Sequence, residues 1–464
     1  MTVPNWVQDA IFYQIFPDRF HLGNPENKSS RLQAWGSEPN NKGFMGGALL
    51  GIIQKFDYLL DLGINAIYLN PIFSSAANHR YHTNDYYKID PTLGTMADFK
   101  SLLEVAHQNN VKVILDGVFN HTGRGFFAFN DVLENGPQSR YLDWYHVNNF
   151  PLNAFSEGKA ENYQAWWNIK DLPKLNTDTK AVREYLMDVA KYWIEQGADG
   201  WRLDVPSEID DDEFWEEFRS VVKSVNPEAY IVGEIWELDP RWVGDKHFDG
   251  LMHYPLRNAV FDLLVGGNPI HGFADKIENF QSVYPKENVM VMYLALGSHD
   301  TRRLINKFEG SVDKVKLATM IQFSYPGAPA IYYGDEVGMD GGEDPDNRRS
   351  FSWNENDWNH DLRAYFKKLI QIRKNSAALR RGDFKRIYIE EGGSVYAYAR
   401  ILGDEKVLIA INADENEKSI ELPVNELGWE NGIEMENLLS GDRYGINDGK
   451  IRINLPPWGG LMIG

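Results

Sequence analysis

The segment that decides the fold reads DGWRLD, from Asp199 to Asp204, and three segments of the same kind accompany it. These are DGVFNH (Asp116–His121), IVGEIW (Ile231–Trp236) and LGSHD (Leu296–Asp300). Each is a short apolar run that ends in acidic, amide or histidine side chains. In a barrel of parallel strands, residues at the carboxyl ends of the strands converge at one rim. The four segments therefore predict a barrel enzyme with Asp204, Glu234 and Asp300 at its mouth.

Apolar strand-like runs alternate with amphipathic helix-like segments up to about residue 376. Helical spacing of apolar residues marks Asp178–Gln196, and Thr95 with Asp98 has the form of a capping box. This alternation predicts an α/β fold, a (β/α)₈ barrel. The eight strand candidates are Ala10–Phe16, Asn65–Leu69, Val111–Leu115, Asp199–Leu203, Tyr230–Glu234, Asp249–His253, a run starting at Val289, and Pro329–Tyr333.

Two further domains are expected beside the barrel, which takes residues 1–120 and 177–377. Residues 121–176 form a long irregular stretch after the third strand, and a connection of that length is usually functional or a small inserted domain. From residue 378 to residue 464 the pattern becomes short alternating runs, such as Ser394–Arg400 and Lys406–Asn412. That pattern predicts a closing antiparallel β-sandwich.

Composition excludes several classes of protein. The net charge of -20 would repel nucleic acid and anionic membranes, whereas a neutral ligand meets no such repulsion. The absence of cysteine excludes disulfides, thiolate metal sites and cysteine nucleophiles. The N-terminal residues MTVPNWVQDA carry neither a basic nor an apolar targeting segment, and no run approaches a membrane span in length. We expect a cytoplasmic protein, a monomer or weak homo-oligomer, that needs no cofactor for its chemistry.

Paired carboxyl groups at the mouth suit glycoside hydrolysis with retention, in which one attacks the anomeric carbon while the other protonates the leaving oxygen. Arg202 lies two residues before Asp204, on the same strand face, and a guanidinium favours the ionised carboxylate of a nucleophile. Trp236 lies two residues after Glu234, and an apolar indole wall would raise the pKa of a general acid. Asp300, His121 and His299 would then hydrogen-bond the sugar.

The four segments, in this order, resemble those of the α-amylase family of glycoside hydrolases, and the resemblance covers essentially the whole chain. It implies that Asp204 is the nucleophile, Glu234 the general acid/base and Asp300 the stabiliser of the transition state. It also implies a set of substrate-binding residues around them. These are His79, Tyr81, Asp116, His121, Arg202, Ser207, Glu208, Trp236, His299, Asp344 and Arg348.

Local motifs resemble those of neopullulanases, cyclomaltodextrinases and maltogenic amylases: LPKLN (Leu172–Asn176), Ser298 before His299, and GDEVGMDGG (Gly334–Gly342). The implied substrates are cyclodextrins, maltooligosaccharides, pullulan and starch, cleaved at α-1,4 and also α-1,6 bonds. VPSE (Val205–Glu208) departs from that group's usual sequence after the nucleophile and leaves linkage preference open.

Three alternatives stay open at this point. A glucanotransferase or sugar isomerase would use the same carboxyl groups, and a non-catalytic carbohydrate-binding protein would have the same barrel. The metal content is also open. The resemblance allows a structural calcium near Asn120, but its other ligands cannot be assigned, and Asn120 bonding to the loop backbone is an equally good interpretation.

Overall fold

The computed structural model describes residues 3–23 and 32–464. Residues 1–2 of the N-terminal stretch MTVPNWVQDA and residues 24–31 of the expected first barrel segment lie outside the described residues. In the described part, eight parallel strands form one sheet in the order β6-β5-β4-β3-β2-β1-β8-β7, and a bridge between Met252 and Tyr293 joins its two edges. The predicted α/β barrel is confirmed. Its strands are β1 (Phe12–Ile15), β2 (Ala66–Leu69), β3 (Lys112–Gly117), β4 (Gly200–Leu203), β5 (Tyr230–Gly233), β6 (Gly250–Leu251), β7 (Tyr293–Ala295) and β8 (Ala328–Tyr332).

Helices surround the barrel and connect its strands. The predicted helix over Asp178–Gln196 is Lys180–Glu195, and Thr95 with Asp98 makes the expected capping box. The α-helices of the described chain are α1 (Pro17–Phe20), α2 (Leu49–Gln54), α3 (Phe56–Leu62), α4 (Met96–Gln108), α5 (Phe127–Asn135), α6 (Lys180–Glu195), α7 (Asp212–Val225), α8 (Tyr254–Leu264), α9 (Ile270–Val283), α10 (Lys286–Val289), α11 (Leu304–Lys307), α12 (Val312–Ser324), α13 (His360–Asn375) and α14 (Ala377–Arg381).

The run starting at Val289 is shorter as a strand than expected. Val289 is the last residue of α10, and β7 begins only at Tyr293. Pro285 caps α10 and its carbonyl accepts from the Val289 amide, so local helical bonds take the first residues of the run. Apolar composition alone could not separate this buried helix end from a strand.

Alternation along the strands brings polar residues to the barrel mouth. Side chains two residues apart point to the same face of a strand, so the inward face of β1 runs from Phe12 to Gln14 and that of β3 from Ile114 to Asp116. Phe12 and Ile114 belong to a buried apolar cluster at the closed end of the barrel. The polar residues Gln14 and Asp116 follow two positions later on the same face, toward the open end of the barrel. The packed apolar residues of the barrel core thus lie directly beneath the polar residues of the site.

A glycine on β4 lets the two central strands pair closely. A Cβ on Gly200 would lie 2.1 Å from the carbonyl oxygen of Tyr230 on β5. Because real Cβ atoms do not approach backbone that closely, only glycine allows the parallel register of Gly200 with Tyr230. That register sets Asp204 and Glu234 side by side at the ends of neighbouring strands.

The segment 121–176 is more ordered than the sequence suggested. It contains α5 and three short 3-10 turns, Gly136–Gln138, Leu142–Trp144 and Trp166–Asn168. Isolated bridges, among them His121 with Lys174 and Ala165 with Pro173, join distant parts of the segment, and the Leu175 amide donates to the Asn120 carbonyl after β3 at 3.0 Å. A hairpin of Phe73–Ser75 and Thr83–Ile89 leaves the barrel after β2. The exact limits of the inserted domain stay a prediction.

Two antiparallel four-stranded sheets follow α14. The first has the order β9-β10-β11-β16 and the second β12-β15-β14-β13. Residues such as Ala397 and Ile453 fill the space between the sheets, while Tyr396 and Tyr398 join the large core around the barrel. The predicted C-terminal antiparallel sheets are confirmed. Their strands are β9 (Asp383–Ile389), β10 (Val395–Leu402), β11 (Glu405–Asn412), β12 (Lys418–Pro423), β13 (Glu434–Glu436), β14 (Arg443–Asn447), β15 (Lys450–Leu455) and β16 (Gly459–Ile463).

The remaining 3-10 turns are short. They are Asn5–Asp9, Pro206–Glu208, Pro240–Trp242, Asp335–Val337, Asp346–Arg348, Glu355–Asp357 and Asn425–Leu427. Among the described residues, none of the helices has the length and apolar character that a membrane crossing requires.

Candidate active site

Arg202 is the centre of the site. It is 1% exposed, and its guanidinium contacts three carboxyl groups. Nη1 lies 2.8 Å from Asp116 Oδ1 and 3.0 Å from Asp204 Oδ1, and Nη2 lies 2.9 Å from Glu234 Oε2. A planar guanidinium holds such partners in fixed directions. One cation therefore orients carboxyl groups that leave three neighbouring strands.

Asp116 is held by hydroxyl groups as well as by Arg202. Tyr68 donates to Asp116 Oδ2 at 2.5 Å and Tyr81 donates to the same oxygen at 2.8 Å. With every side of this carboxylate occupied by protein groups, it is buried away from a substrate. Asp116 was expected among the substrate-binding residues, and the structure gives it the contacts of a group that positions Arg202 and Tyr81.

His299 joins this network to Asp300. Its Nδ1 lies 2.9 Å from the amide nitrogen of Gln14, which donates, so the proton of the neutral ring is on Nε2. Nε2 lies 2.5 Å from Tyr81 Oη and 3.2 Å from Asp300 Oδ2. The Tyr81 ring is parallel to the His299 ring within 5°. His299 therefore donates its Nε2 proton to Tyr81 Oη, which donates in turn to Asp116, and the ring lies beside the Asp300 carboxylate.

Asp300 is the most open of the three predicted catalytic carboxyl groups, with a side chain 33% exposed. Arg348 Nη2 lies 3.3 Å from Asp300 Oδ1, and Arg348 Nη1 lies 3.0 Å from Asp344 Oδ1. Arg348 Nε also donates to the His299 carbonyl at 2.8 Å. The structure thus brings Asp344 and Arg348 to the same side of the mouth as Asp300.

Two N–H groups of the protein donate hydrogen bonds to the Glu234 carboxyl group. The Val205 amide donates to Oε2 at 3.0 Å, and the Trp236 indole nitrogen donates to Oε1 at 3.2 Å. Val205 has φ 37° and ψ 50°, a left-handed conformation that is costly for a β-branched residue. Such strain, of order 1–3 kcal/mol, persists where the surroundings enforce it. Here it points a backbone N–H at Glu234.

Trp236 does not form the apolar wall that its spacing suggested. The indole presents its N–H edge to Glu234, and its face stacks on Tyr254 with centroids 3.7 Å apart. An N–H donor favours the ionised carboxylate rather than the acid. The other face of Trp236 leaves it 39% exposed at the mouth.

Burial dominates the protonation of the central carboxyl groups. It raises the pKa of Glu234, as expected from the sequence, and it also raises the pKa of Asp204 well above the ordinary value. Arg202 opposes both shifts, but it is shared among three carboxyl groups. Arg202 favours the ionised form of Asp204, in the direction expected from the sequence, but burial outweighs it. One cation beside three buried carboxyl groups favours keeping a proton within the cluster.

Burial favours the neutral form of two further histidines, His79 and His121. Burial lowers the pKa of His121 to about 3 and lowers that of His79 well below its ordinary value. The Asn120 amide nitrogen lies 3.3 Å from His121 Nδ1, which leaves the ring proton on the buried Nε2, an atom without a partner among the described residues. His121 thus holds a free donor, while His79 Nδ1 accepts from the Tyr81 amide at 3.1 Å.

Ser207 and Glu208 lie apart from the carboxyl cluster. Both are exposed on the 3-10 turn Pro206–Glu208 that follows Val205. The Glu208 carboxylate is 3.5 Å from Lys174 Nζ, so it faces the inserted segment. Their predicted contact with leaving-group sugars stays a prediction.

The carboxylate and imidazole side chains of the described residues form no cluster for a structural calcium ion. Across residues 3–23 and 32–464, no group of three or more His, Cys, Asp or Glu side chains is arranged to hold a metal. Buried Asn120 Oδ1 is without a hydrogen-bond partner there, and no hydrogen bond runs from its side chain to the loop backbone within those ranges. A single unpaired amide oxygen falls short of the six to eight oxygen ligands of calcium. No catalytic step is therefore assigned to a metal.

Sequence reasoning missed several buried groups that build the site. Tyr68, Gln14 and Tyr254 lie on the inward side of the barrel or over its mouth, where they contact Asp116, His299 and Trp236. The available signal was the alternation within the strands, because Gln14 is two residues from inward Phe12. The left-handed conformation of Val205 carried no signal of its own in the sequence.

Comparison with known proteins gives the family. The model of the alpha amylase catalytic domain matches residues 14–382, and that of the alpha-amylase C-terminal domain matches residues 382–457. The cyclomaltodextrinase of Geobacillus thermopakistaniensis is 42% identical over 99% of this chain and 77% of its own length. Neopullulanase 2 of Thermoactinomyces vulgaris is 39% identical over 100% of this chain and 78% of its own length.

A solved structure agrees over the full length. A cyclic α-maltosyl-(1→6)-maltose hydrolase from Arthrobacter globiformis has a TM-score of 0.91 at 35% identity and covers 100% of both chains. The resemblance inferred from DGVFNH, DGWRLD, IVGEIW and LGSHD is thereby confirmed. With the barrel, the clustered carboxyl groups and these matches together, the chain belongs to the α-amylase family of glycoside hydrolases.

Proposed function

We propose that this enzyme is an α-glucan hydrolase that retains the configuration of the anomeric carbon. One observation carries the proposal: Arg202 holds both Asp204 and Glu234 by the two nitrogens of a single guanidinium. Carboxyl groups of a retaining enzyme lie roughly 5–5.5 Å apart, and partners of one guanidinium are close neighbours. Asp300 faces them from the mouth beside Arg348.

In the first half of the proposed reaction, an oxygen of ionised Asp204 attacks the anomeric carbon. Glu234 gives its proton to the glycosidic oxygen as the bond from that oxygen to the anomeric carbon breaks, and the released sugar departs with the new hydroxyl. Arg202 keeps Asp204 in line for attack. Asp300 and the donor on His121 Nε2 hydrogen-bond the ring, whose positive charge grows in the transition state.

In the second half, ionised Glu234 takes a proton from water, and the resulting hydroxide oxygen bonds to the anomeric carbon. The ester bond to Asp204 breaks and returns the carboxylate. Two inversions at one carbon give net retention. The Val205 amide and the Trp236 indole nitrogen stabilise Glu234 in its ionised state during this step.

We propose cyclodextrins, maltooligosaccharides, pullulan and soluble starch as the substrates. The support is the names of the relatives, a cyclomaltodextrinase, a neopullulanase and a hydrolase of a cyclic sugar with a 1→6 linkage. The principal reaction is cleavage of α-1,4 bonds, with α-1,6 cleavage beside it. All groups of the mechanism come from one chain, which supports activity as a monomer.

The first test compares β-cyclodextrin, pullulan and soluble starch in parallel, with products resolved by size over time. Ring opening of the cyclodextrin, together with panose or maltose from the polymers, is the expected result. Glu234→Gln serves as the inactive control, because the amide cannot donate an acid proton. Starch cleavage with cyclodextrin and pullulan untouched would contradict the proposed substrate range.

A second test addresses retention and the covalent intermediate. Proton NMR of the first product from a maltooligosaccharide should show the α-anomer before mutarotation. A slow fluorinated maltosyl fluoride should add one glycosyl mass to the peptide that carries Asp204, and Asp204→Asn should abolish the adduct. A β-anomer as first product would exclude the double displacement.

Transfer to a sugar acceptor is a second activity, favoured by the exposed face of Trp236 beside Glu234. A glucose ring stacked there would bring a hydroxyl to the position of the attacking water. Products longer than the substrate should therefore accumulate at high maltotriose concentration and fall in Trp236→Ala. Long products that dominate even at low concentration would identify a transferase rather than a hydrolase.

A further inference from the structure

Trp167, on the inserted segment, exposes an unusually large apolar surface. Its side chain is 73% exposed, more than that of Trp236 at the mouth. It lies in the 3-10 turn Trp166–Asn168, seven residues before Lys174, which pairs with Glu208 beside the nucleophile loop. One face of the ring packs on Trp166, and most of the side chain stays open to solvent. Its position beside the cleft suggests a role in binding.

The backbone holds Trp167 in this position at a conformational cost. Its φ is 49°, and that of Asn168 is 59°, two consecutive residues in the left-handed region. The Asn168 amide donates to the Ala165 carbonyl at 3.0 Å, and the Ile169 amide donates to the Trp166 carbonyl at 2.9 Å. Left-handed conformations of residues other than glycine gather where a function requires them. The turn therefore fixes the backbone position from which the ring projects.

Aromatic rings connect Trp167 to the catalytic mouth. Trp167 stacks on Trp166 with centroids 4.4 Å apart and planes within 10°. Trp166 in turn stacks on His121, with centroids 5.6 Å apart and planes within 25°. Buried Trp166 Nε1 has no hydrogen-bond partner among the described residues, as is also true of His121 Nε2. Two free donors and one free ring face thus lie along a single row of rings.

We propose that Trp167 binds a glucose ring of the substrate chain outside the catalytic centre, on the side of the cleft that the inserted segment forms. The inference rests on the proposed α-glucan activity. A glucose ring has an apolar face that stacks on an indole, and the outer face of Trp167 is open to it. Trp167 would thereby extend recognition beyond the sugar that His121 contacts and favour longer chains.

Charge and area favour a sugar over another protein as the occupant. The chain carries a net charge of -20, so a second copy would be repelled, whereas a glucan is neutral. A stable protein interface buries about 800 Å² on each partner, far more than one indole offers. Phe155, which is also 73% exposed on the same segment, differs because Arg124 lies 4.6 Å from its ring centroid.

The test removes the ring without disturbing the turn. Trp167→Asn is chosen because asparagine tolerates the left-handed region better than other residues. Trp167→Phe keeps a ring, and Phe155→Ala is the matched control. Each is compared on maltohexaose, which is long enough to reach Trp167, and on α-glucosyl fluoride, whose single ring stays beside Asp204.

The expected result is a fall of about tenfold in kcat/KM for maltohexaose in Trp167→Asn, mostly through KM, with α-glucosyl fluoride changed less than about twofold. Trp167→Phe should recover most of the loss, and Phe155→Ala should match the wild type. In a Glu234→Gln background, which holds substrate without turnover, Trp167→Asn should weaken the Kd for maltohexaose by the same factor.

Equal maltohexaose constants for Trp167→Asn and the wild type would overturn the proposal. So would an equal loss on both substrates, since the ring would then act on the catalytic centre itself. A wild type that self-associates in sedimentation while Trp167→Asn does not would assign the surface to a second copy instead. If the wild type cleaves neither maltohexaose nor α-glucosyl fluoride, the proposed function fails before Trp167 is examined.

Discussion

The two central carboxyl groups have different proposed roles although Arg202 contacts both. Glu234→Gln should lower kcat on maltohexaose at least about 10²-fold, because the leaving alkoxide then departs without a proton. On α-maltosyl fluoride the first step should change little, since fluoride leaves without protonation. Because Glu234 also assists the attack by water, the burst of fluoride released in the first turnover measures this step, and the steady-state rate does not.

Asp204→Asn is the counterpart of that experiment. It removes the nucleophile, so both substrates should lose activity to a similar extent. Circular dichroism should confirm that both variants fold. A Glu234→Gln enzyme that lacks the fluoride burst, with Asp204→Asn retaining it, would reverse the proposed roles.

Burial of Asp204 also predicts how stability depends on pH. Because burial raises its pKa, ionising Asp204 costs more free energy in the folded enzyme than in the unfolded chain, where it ionises from about pH 4 upward. The unfolding free energy of the wild type therefore falls as pH rises through this range. Asp204→Asn cannot ionise, so it should gain stability relative to the wild type as the pH rises from about 4 to about 7. Thermal denaturation at both values measures the gap, and a constant gap would contradict the shift.

At the scale of elements, the turn Asp335–Val337 after β8 holds a buried carboxyl group away from the reacting centre. Asp335 Oδ1 is 3.2 Å from Arg303 Nη1, and burial raises its pKa from 3.8 to about 7. The unfolding free energy should fall by about 4 kcal/mol between pH 4 and pH 7, since each pH unit counts about 1.36 kcal/mol. Asp335→Asn should remove this dependence, as urea denaturation across the range would measure.

Asp340→Asn is the control for that series, because Asp340 lies in the same loop with a side chain 66% exposed. Its stability should follow that of the wild type at each pH. A wild type and an Asp335→Asn variant with parallel pH profiles would mean that Asp335 is ionised throughout.

The sequence was informative where one physical pattern dominates an element. Apolar runs with polar ends predicted the barrel strands, and Thr95 with Asp98 predicted the start of α4. The pattern failed at Val289, where a buried helix end has the same composition as a strand. It also failed for Trp236, because the spacing of two residues gives the face of the chain but not the edge that the indole presents.

The conformation of the inserted segment could not be predicted from the sequence, for a related reason. Its conformation depends on bridges such as His121 with Lys174 and on left-handed residues such as Trp167, which follow no periodicity. Propensity would even disfavour tryptophan there. The residues proposed to set chain-length preference are thus the ones that local rules describe least well.

At the scale of the whole molecule, buried arginines join the barrel to the C-terminal sheets. Arg400, on β10, is fully buried, and its Nη1 donates to the Ser324 carbonyl at the end of α12 at 2.7 Å. Its Nη2 donates to the Gly382 carbonyl at 2.9 Å. Arg373, on α13, donates to the Phe323 carbonyl at 2.7 Å in the same region. These guanidinium groups donate to carbonyl groups at helix ends, which the C-terminal sheets would otherwise bury without hydrogen-bond partners.

Arg400→Met should therefore lower the unfolding free energy by about 3 kcal/mol, because two buried carbonyl groups lose their donors at about 1–3 kcal/mol each. The unfolding free energy of Arg400→Lys should lie between those of the wild type and Arg400→Met, because an ammonium reaches one carbonyl but lacks the planar fork that spans both. Arg443→Ala is the control, an arginine of the same sheets with a side chain 66% exposed. Urea denaturation measures all four proteins, and kcat of the folded enzyme should stay unchanged because Arg400 is distant in the fold from the barrel mouth.

An Arg400→Met protein as stable as the wild type would mean that water or backbone shifts satisfy these carbonyl groups. Apolar packing of Tyr396 and Tyr398 alone would then join the sheets to the barrel.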